Sequence, residues 1–239
     1  MDNKPINSLG IIIPALNEEE SIQDVIKAIP LTILQEMGLK VQIIVVDNGS
    51  QDKTSEFAKK AGADTIYEAR RGKGNAFRTA INSIDCDFVI MLDADNTYPP
   101  RYIPDIVNLL KDYDVVIGSR IKGKIEKGSM GLSNLLGNYI ISLLATILYQ
   151  RKISDVLTGY WGFNMPVLRR MNLKATTWEI EVEIFSQLVK NNCTLAELPI
   201  QYYPRATESR ITNLLKVGLK DAFTLVSRRI RQIIPVNQN

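Results

Sequence analysis

Asp93 and Asp95 stand two residues apart at the end of an apolar run, Phe88-Val-Ile-Met-Leu92, with Pro99-Pro100 shortly after. The run reads as a strand buried on both faces, and the prolines prevent its continuation. Side chains two apart on an extended chain point the same way, so both carboxylates can close on one divalent cation, and their oxygens suit Mg2+ or Mn2+. Such a cation would lie beyond the carboxyl end of a strand, where open α/β sheets bind ligands. Asp-x-Asp in a polar turn can equally be a solvated loop, so its context has to decide.

Histidine is absent from the 239 residues, which removes the commonest general base and every Ser/His or Cys/His nucleophile. Cys86 and Cys193 are too few for a disulfide framework or a zinc site and fit a reducing compartment. Residues 1–8 are polar, so no signal peptide is expected there. With 45% hydrophobic residues the chain can bury one substantial core. The net charge of +3 is too small to imply nucleic acid, but it is unevenly placed. Residues 205–231 hold Arg205, Arg210, Lys216, Lys220, Arg228, Arg229 and Arg231 against Glu208 and Asp221, a +5 segment on a chain otherwise at −2.

The elements that must position the aspartates alternate. Strands are expected at residues 9–13, 41–46, 63–67, 87–92 and 115–118, with helices of about ten residues between them. That alternation implies an α/β fold with a mostly parallel sheet covered on both faces. Polar residues gather at strand ends: Asn17 and Glu18, Asp47, Asp93 and Asp95, and Ser119 with Arg120. Asn48, Gly49, Ser50 and Asp52 read as turn formers and caps. Gly72 and Gly74 around Lys73 permit close backbone approach or mark a helix entry.

Five motifs in order, Ile13-Pro-Ala-Leu-Asn-Glu-Glu, Val46-Asp-Asn-Gly-Ser-Gln-Asp-Lys-Thr, Arg71-Gly-Lys-Gly-Asn-Ala, Asp93-Ala-Asp and Gly118-Ser-Arg, resemble those of the inverting, nucleotide-sugar-dependent glycosyltransferases of family 2. The resemblance implies the GT-A fold. It places Pro14, Asn17, Glu18 and Asp47 around the nucleoside, Lys73 and Arg120 on the donor side, and Asp93 and Asp95 at a metal-bound diphosphate. Asp155-Val-Leu-Thr-Gly-Tyr-Trp-Gly-Phe-Asn, with Glu197-Leu-Pro-Ile and Arg205-Ala-Thr-Glu-Ser-Arg, is similar to the acceptor side of dolichyl- and polyprenyl-phosphate sugar synthases. That likeness gives Arg205 and Arg210 to an acceptor phosphate and sets Asp155 nearer the acceptor. Arg210 stands where that subgroup usually has lysine, Glu208 replaces a glycine, and Thr97 replaces a glutamine used by some members. The implied donor is of the GDP-mannose or UDP-glucose type.

The missing histidine bears on the acceptor. A hydroxyl must lose a proton as it attacks, whereas a phosphate monoester is already anionic at pH 7. A hydroxyl acceptor would need Asp155, Glu181 or Glu183 as base; equally, the two glutamates can be the solvated face of a helix over residues 178–191. A sugar-nucleotide pyrophosphorylase would need a glycine-rich, arginine-containing first loop, and Ile13-Pro-Ala-Leu-Asn-Glu occupies that place. A non-catalytic module is disfavoured by the intact aspartates.

Residues 129–150 carry no charge, yet Asn134, Asn138, Ser142 and Thr146 recur every fourth position. A lipid-facing polar stripe is costly in a spanning helix, so an interfacial helix is expected, with the packed core helix as the plainer alternative. The helix beyond Ile211 should turn its apolar side inward or to lipid and its basic residues to anionic headgroups. Residues 122–128 read as a flexible loop. The expected organisation is a nucleotide-sugar half over 1–128, an interfacial segment over 129–150, an acceptor half over 151–210 and a basic amphipathic helix over 211–239. This chain would work at the cytoplasmic membrane surface, as a peripheral protein.

Overall fold

The structure is a computed structural model that describes residues 7–205 and 214–233. Its elements are β1 (Ser8–Ala15), α1 (Ile22–Lys27), α2 (Leu31–Glu36), β2 (Lys40–Asp47), α3 (Thr54–Lys60), β3 (Asp64–Tyr67), α4 (Lys73–Ser83), β4 (Phe88–Met91), α5 (Ile103–Leu109), β5 (Val115–Ile125), α6 (Leu132–Tyr149), β6 (Trp161–Asn164), α7 (Met165–Arg170), α8 (Ile180–Lys190), β7 (Leu195–Tyr202) and α9 (Leu214–Ile233). The strands form one sheet in the order β3-β2-β1-β4-β6-β5-β7. Only β6 runs antiparallel to its neighbours.

Alternation along β4 explains its unbroken apolar run. Val89 and Met91 enter one layer with Phe77, Trp161 and Ile184, while Phe88 and Ile90 enter the other with Val25, Ile103 and Ile106. A strand covered on both faces cannot carry a polar residue until it leaves the sheet. The chain passes from β1 to β2 on one side and returns to β4 on the other. The crevice at that reversal is where the loops after β1 and β4 meet.

Three expectations about the second half are corrected. Residues 122–128 are not a free loop: β5 runs to Ile125, and Lys124 and Ile125 pair with Gln201 and Tyr202 of β7. A Cβ at Gly123 would lie 1.8 Å from the Ile200 carbonyl oxygen, so this glycine serves close strand packing. Glu181 and Glu183 are not a solvated face, because α9 covers α8 and both are buried. The basic residues of α9 do not all look outward: Lys220 bonds Glu179, and Arg228 bonds Glu183.

The polar stripe of α6 also has a definite use. Asn138 accepts from Arg120, Ser142 Oγ accepts from the Val156 amide, and Thr146 bonds both the amide and the carbonyl of Ile153. With that face turned inward, Leu132, Leu136, Tyr139, Ile140, Leu143 and Ile147 are exposed. Leu215, Leu219, Phe223, Val226, Ile230 and Ile233 of the adjoining α9 are exposed too, at helical spacing. By length and composition α6 could cross a membrane; 28% of it is buried in the protein.

Candidate active site

The ends of β1 and β2 are adjacent, with Pro14 beside Val46 and Ala15 beside Asp47. Asn17 has a left-handed backbone (φ 47°), fixed by its amide donating to Ser50 Oγ and its side-chain oxygen accepting from the Gln51 amide. Asp47 Oδ1 accepts from the Ser50 amide. Glu18 is buried, its amide on Thr54 Oγ1 at 2.7 Å and its Oε2 accepting from Ser21 Oγ. Ser21 Oγ also reaches the Ala94 carbonyl at 2.8 Å, which ties the β1 loop to the Asp-x-Asp turn. Asn48, Ser50 and Asp52 act as braces: Asn48 alone bonds the carbonyls of Glu68 and Arg70 and the Gly72 amide.

Asp93 and Asp95 emerge one after the other beyond β4. Lys73 Nζ lies 2.6 Å from Asp93 Oδ1 and 2.6 Å from Glu181 Oε1, with the Trp178 ring centre at 5.7 Å. Burial opposes the charge on Lys73, but the two carboxylates outweigh it and hold the ammonium above its ordinary value. Burial also pushes Glu181 up, against the pull of Lys73. The close approach permitted by Gly72 and Gly74 is to the chain itself: added Cβ atoms would lie 2.1 Å from the Thr176 oxygen and 2.3 Å from the Ala175 oxygen. Thr176 and Thr177 carbonyls accept from the amides of Asn75 and Gly74, so the N-terminus of α4 is capped from within. Gly159 leaves room for Asp93, since a Cβ there would be 2.0 Å from its Oδ2.

Asp95 Oδ1 accepts from the Thr97 hydroxyl at 2.6 Å and from its amide, leaving Oδ2 3.5 Å from Arg205. Arg205 also pairs with Glu18. It is delivered there because the Tyr203 amide donates to the Thr97 carbonyl, pinning the exit of β7 to the Asp-x-Asp turn. Arg120 and Asp155, 35 residues apart, form a fully buried fork, with Nε to Oδ2 at 2.8 Å and Nη2 to Oδ1 at 2.6 Å. Nη2 also donates to Asn138 at 2.7 Å, and the guanidinium lies 5.3 Å from the Tyr202 ring centre. Burial works against this cation and Asp155 more than compensates, holding it well above its ordinary value. Arg210 lies outside the described residues.

The family model for glycosyl transferase family 2 matches residues 10–174, which span Pro14, Asn17, Glu18, Asp47, Lys73, Asp93, Asp95, Arg120 and Asp155 and stop short of Trp178, Glu181 and Arg205. The chain belongs to glycosyltransferase family 2. Among its relatives, the glycosyltransferase AglJ of Haloferax volcanii is 34% identical over 87% of this chain, which spans 67% of AglJ's own length. The dolichyl-phosphate hexose transferase of the same organism is 30% identical, over 88% of this chain and 90% of that protein. Glucosyl-3-phosphoglycerate synthase of Mycobacterium tuberculosis, solved with Mn2+, UDP and phosphoglyceric acid, aligns with a TM-score of 0.73 at 21% identity, covering 97% of this chain and 80% of that one. This likeness establishes the GT-A fold.

The donor set at Asp93 and Asp95 fits a hard divalent cation: two carboxylates on one turn, in a crevice that also holds Lys73 and Arg205. Among the described residues no cluster of three acidic, histidine or cysteine side chains forms there, so phosphate oxygens and water would complete the coordination. Three contributors had no clear sequence signal: Trp178 over Lys73, Gly159 behind Asp93, and Ser21 bridging two loops. Asn138 did have one, the fourfold spacing of its stripe.

Proposed function

We propose that this glycosyltransferase moves a hexose, with inversion, from a nucleotide sugar of the GDP-mannose or UDP-glucose type to a polyprenyl or dolichyl phosphate at the cytoplasmic membrane surface. One observation carries the reading: Glu18, Asp93, Asp95, Asp155 and Glu181 are each held by a cation, while Asp47, on the nucleoside side, accepts from the Ser50 amide. Glu18 and Asp95 face Arg205, Asp93 and Glu181 share Lys73, and Asp155 is forked by Arg120. None is disposed to take a proton from a hydroxyl, whereas a phosphate monoester needs no base.

Pro14, Asn17, Glu18 and Asp47 hold the nucleoside, whose hydroxyls and base donors suit carboxylate acceptors. Asp93 and Asp95 would hold Mg2+ or Mn2+, which supplies the charge that stabilises the leaving diphosphate. Lys73 adds a fixed cation beside Asp93. Arg205, together with Arg210, draws the acceptor phosphate into line, so that its oxygen attacks the anomeric carbon from the face opposite the diphosphate. Asp155 positions Arg120 and does not touch substrate. The exposed apolar faces of α6 and α9 rest on the membrane that carries the acceptor. The name of the Haloferax volcanii dolichyl-phosphate hexose transferase supports the acceptor class.

Purified protein with Mn2+ or Mg2+ is incubated with radiolabelled GDP-mannose, UDP-glucose and UDP-N-acetylglucosamine in turn, with and without polyprenyl phosphate. Label entering the organic phase only when lipid is present is the expected result and names the donor. Donor turnover with all label left in water would reject the lipid acceptor.

A further inference from the structure

Lys174, Lys190, Arg228 and Arg231 converge on one cavity of about 380 Å3 between α8, α9 and the turn after α7, lined otherwise by the amides Asn172, Gln187 and Gln232. No carboxylate lines it. Arg228 bonds the buried Glu183, and that glutamate also accepts from the Lys174 and Ala175 amides. Among the described residues Lys174, Lys190 and Arg231 are exposed and have no carboxylate partner, and of the four cations Arg228 alone is paired, with Glu183.

Helix ends explain part of this. Lys190 and Arg231 lie in the last turns of α8 and α9, where the helix dipole favours one basic residue, by about 0.3–1 kcal/mol. The dipole does not explain why both turn to the same cavity as Lys174 and Arg228. Nor does it relieve Arg228 and Arg231, three residues apart on one helix, which repel. Arg228 is held below its ordinary value, by burial first and then by Arg231. Rigid guanidinium forks with flexible ammonium groups match a compact oxyanion with several acceptor oxygens, while Gln232 already donates to Ser186.

We infer that the cavity between α8 and α9 is a second anion site that binds a phosphate group, separate from the donor crevice. From Glu181 beside Lys73 to Lys190 in the cavity, α8 rises by about nine residues, or roughly 14 Å. The phosphate belongs either to an anionic lipid headgroup or to a soluble phosphate. Ile230 and Ile233 on the exposed apolar face of α9 flank Arg231 and Gln232, so a lipid lying against that face could place its headgroup in the cavity.

The test compares wild type, Lys190→Gln with Arg231→Gln, and a charge-matched control, Lys59→Gln with Lys111→Gln, whose lysines lie outside the cavity. Arg228 is left intact because it neutralises Glu183. Each protein, without donor, is titrated with inorganic phosphate by calorimetry and sedimented with phosphatidylcholine vesicles with and without phosphatidic acid. The cavity variant should lose affinity about tenfold relative to the control, the loss expected from removing charge-assisted bonds of about 1.4 kcal/mol. Loss of phosphate binding identifies a soluble ligand. A loss confined to phosphatidic acid vesicles identifies a headgroup. If the cavity variant and the control bind alike in both assays, the site is overturned, and because no sugar transfer is measured, that result leaves the proposed function standing.

Discussion

The crevice at β1 and β4 and the outer surface of α6 and α9 sort their side chains in opposite ways. Around the crevice, apolar residues fill the sheet and charges gather at the mouth, with Glu18, Asp93 and Asp95 against cations. On α6 and α9 the polar groups turn inward, onto Arg120, residues 153–156 and the carboxylates of α8, while leucine, isoleucine and phenylalanine face out. The first arrangement is what water selects. The second is stable only where something apolar covers the surface, because contiguous exposed apolar patches mark interaction sites. The molecule thus joins a charged crevice to an exposed apolar face, and α8 touches both.

The largest effect is expected at the crevice. Asp95→Ala should lower turnover on the order of a thousandfold, while urea unfolding shifts little, because Asp95 is at the mouth and not in the core. Full activity in this variant would break the assignment of the diphosphate side. Next, Arg120→Leu strands the buried Asp155 carboxylate and should cost about 3–5 kcal/mol in denaturant melts. A cost near zero would mean that the inward polar contacts of α6 do not anchor the Arg120 and Asp155 pair.

Smaller changes probe the outward face. Leu143→Glu with Phe223→Glu places two charges on exposed apolar positions and should weaken vesicle binding about tenfold or more, without lowering the melting temperature. Unchanged sedimentation would sink the lipid role of this surface. The subtlest effect is at Asp221 of α9, a buried acid whose Oδ1 lacks a hydrogen-bond partner. Burial first, then Glu181 and Glu179, raise its pKa from 3.8 to about 8. The folded state therefore holds a proton that the unfolded chain releases, so this residue's contribution to stability is present below about pH 4 and is lost as pH rises to about 8. Asp221→Asn should be close to neutral near pH 4 and stabilising by about 1–3 kcal/mol near pH 8. The same gain at both pH values would contradict a titrating Asp221.

The crevice was the more legible region for a physical reason. A strand buried on both faces must keep its polar residues for its end, so Glu18, Asp47, Asp93 and Asp95 stand out against the apolar runs before them. Sheet order then brings them together. The Arg120 and Asp155 pair has no such marker, because its partners come from separate segments and meet only when α6 packs. Glu181 and Glu183 looked like a solvated face because a helix's charge pattern does not reveal a second helix lying over it. Residues 122–128 read as loose for a related reason: their glycines and lysines give no sign of the β7 edge that makes a strand of them as far as Ile125. Likewise the basic pattern of α9 showed an amphipathic helix, but not which side would be claimed by the carboxylates of α8.

The central claim is that the acceptor is already an anion. The most direct test offers the protein one labelled donor with polyprenyl phosphate and with the matching polyprenol, side by side at neutral pH. Transfer to the phosphate and none to the alcohol is the predicted result. Comparable transfer to the polyprenol would contradict the account, because some group in the crevice would then be serving as a base.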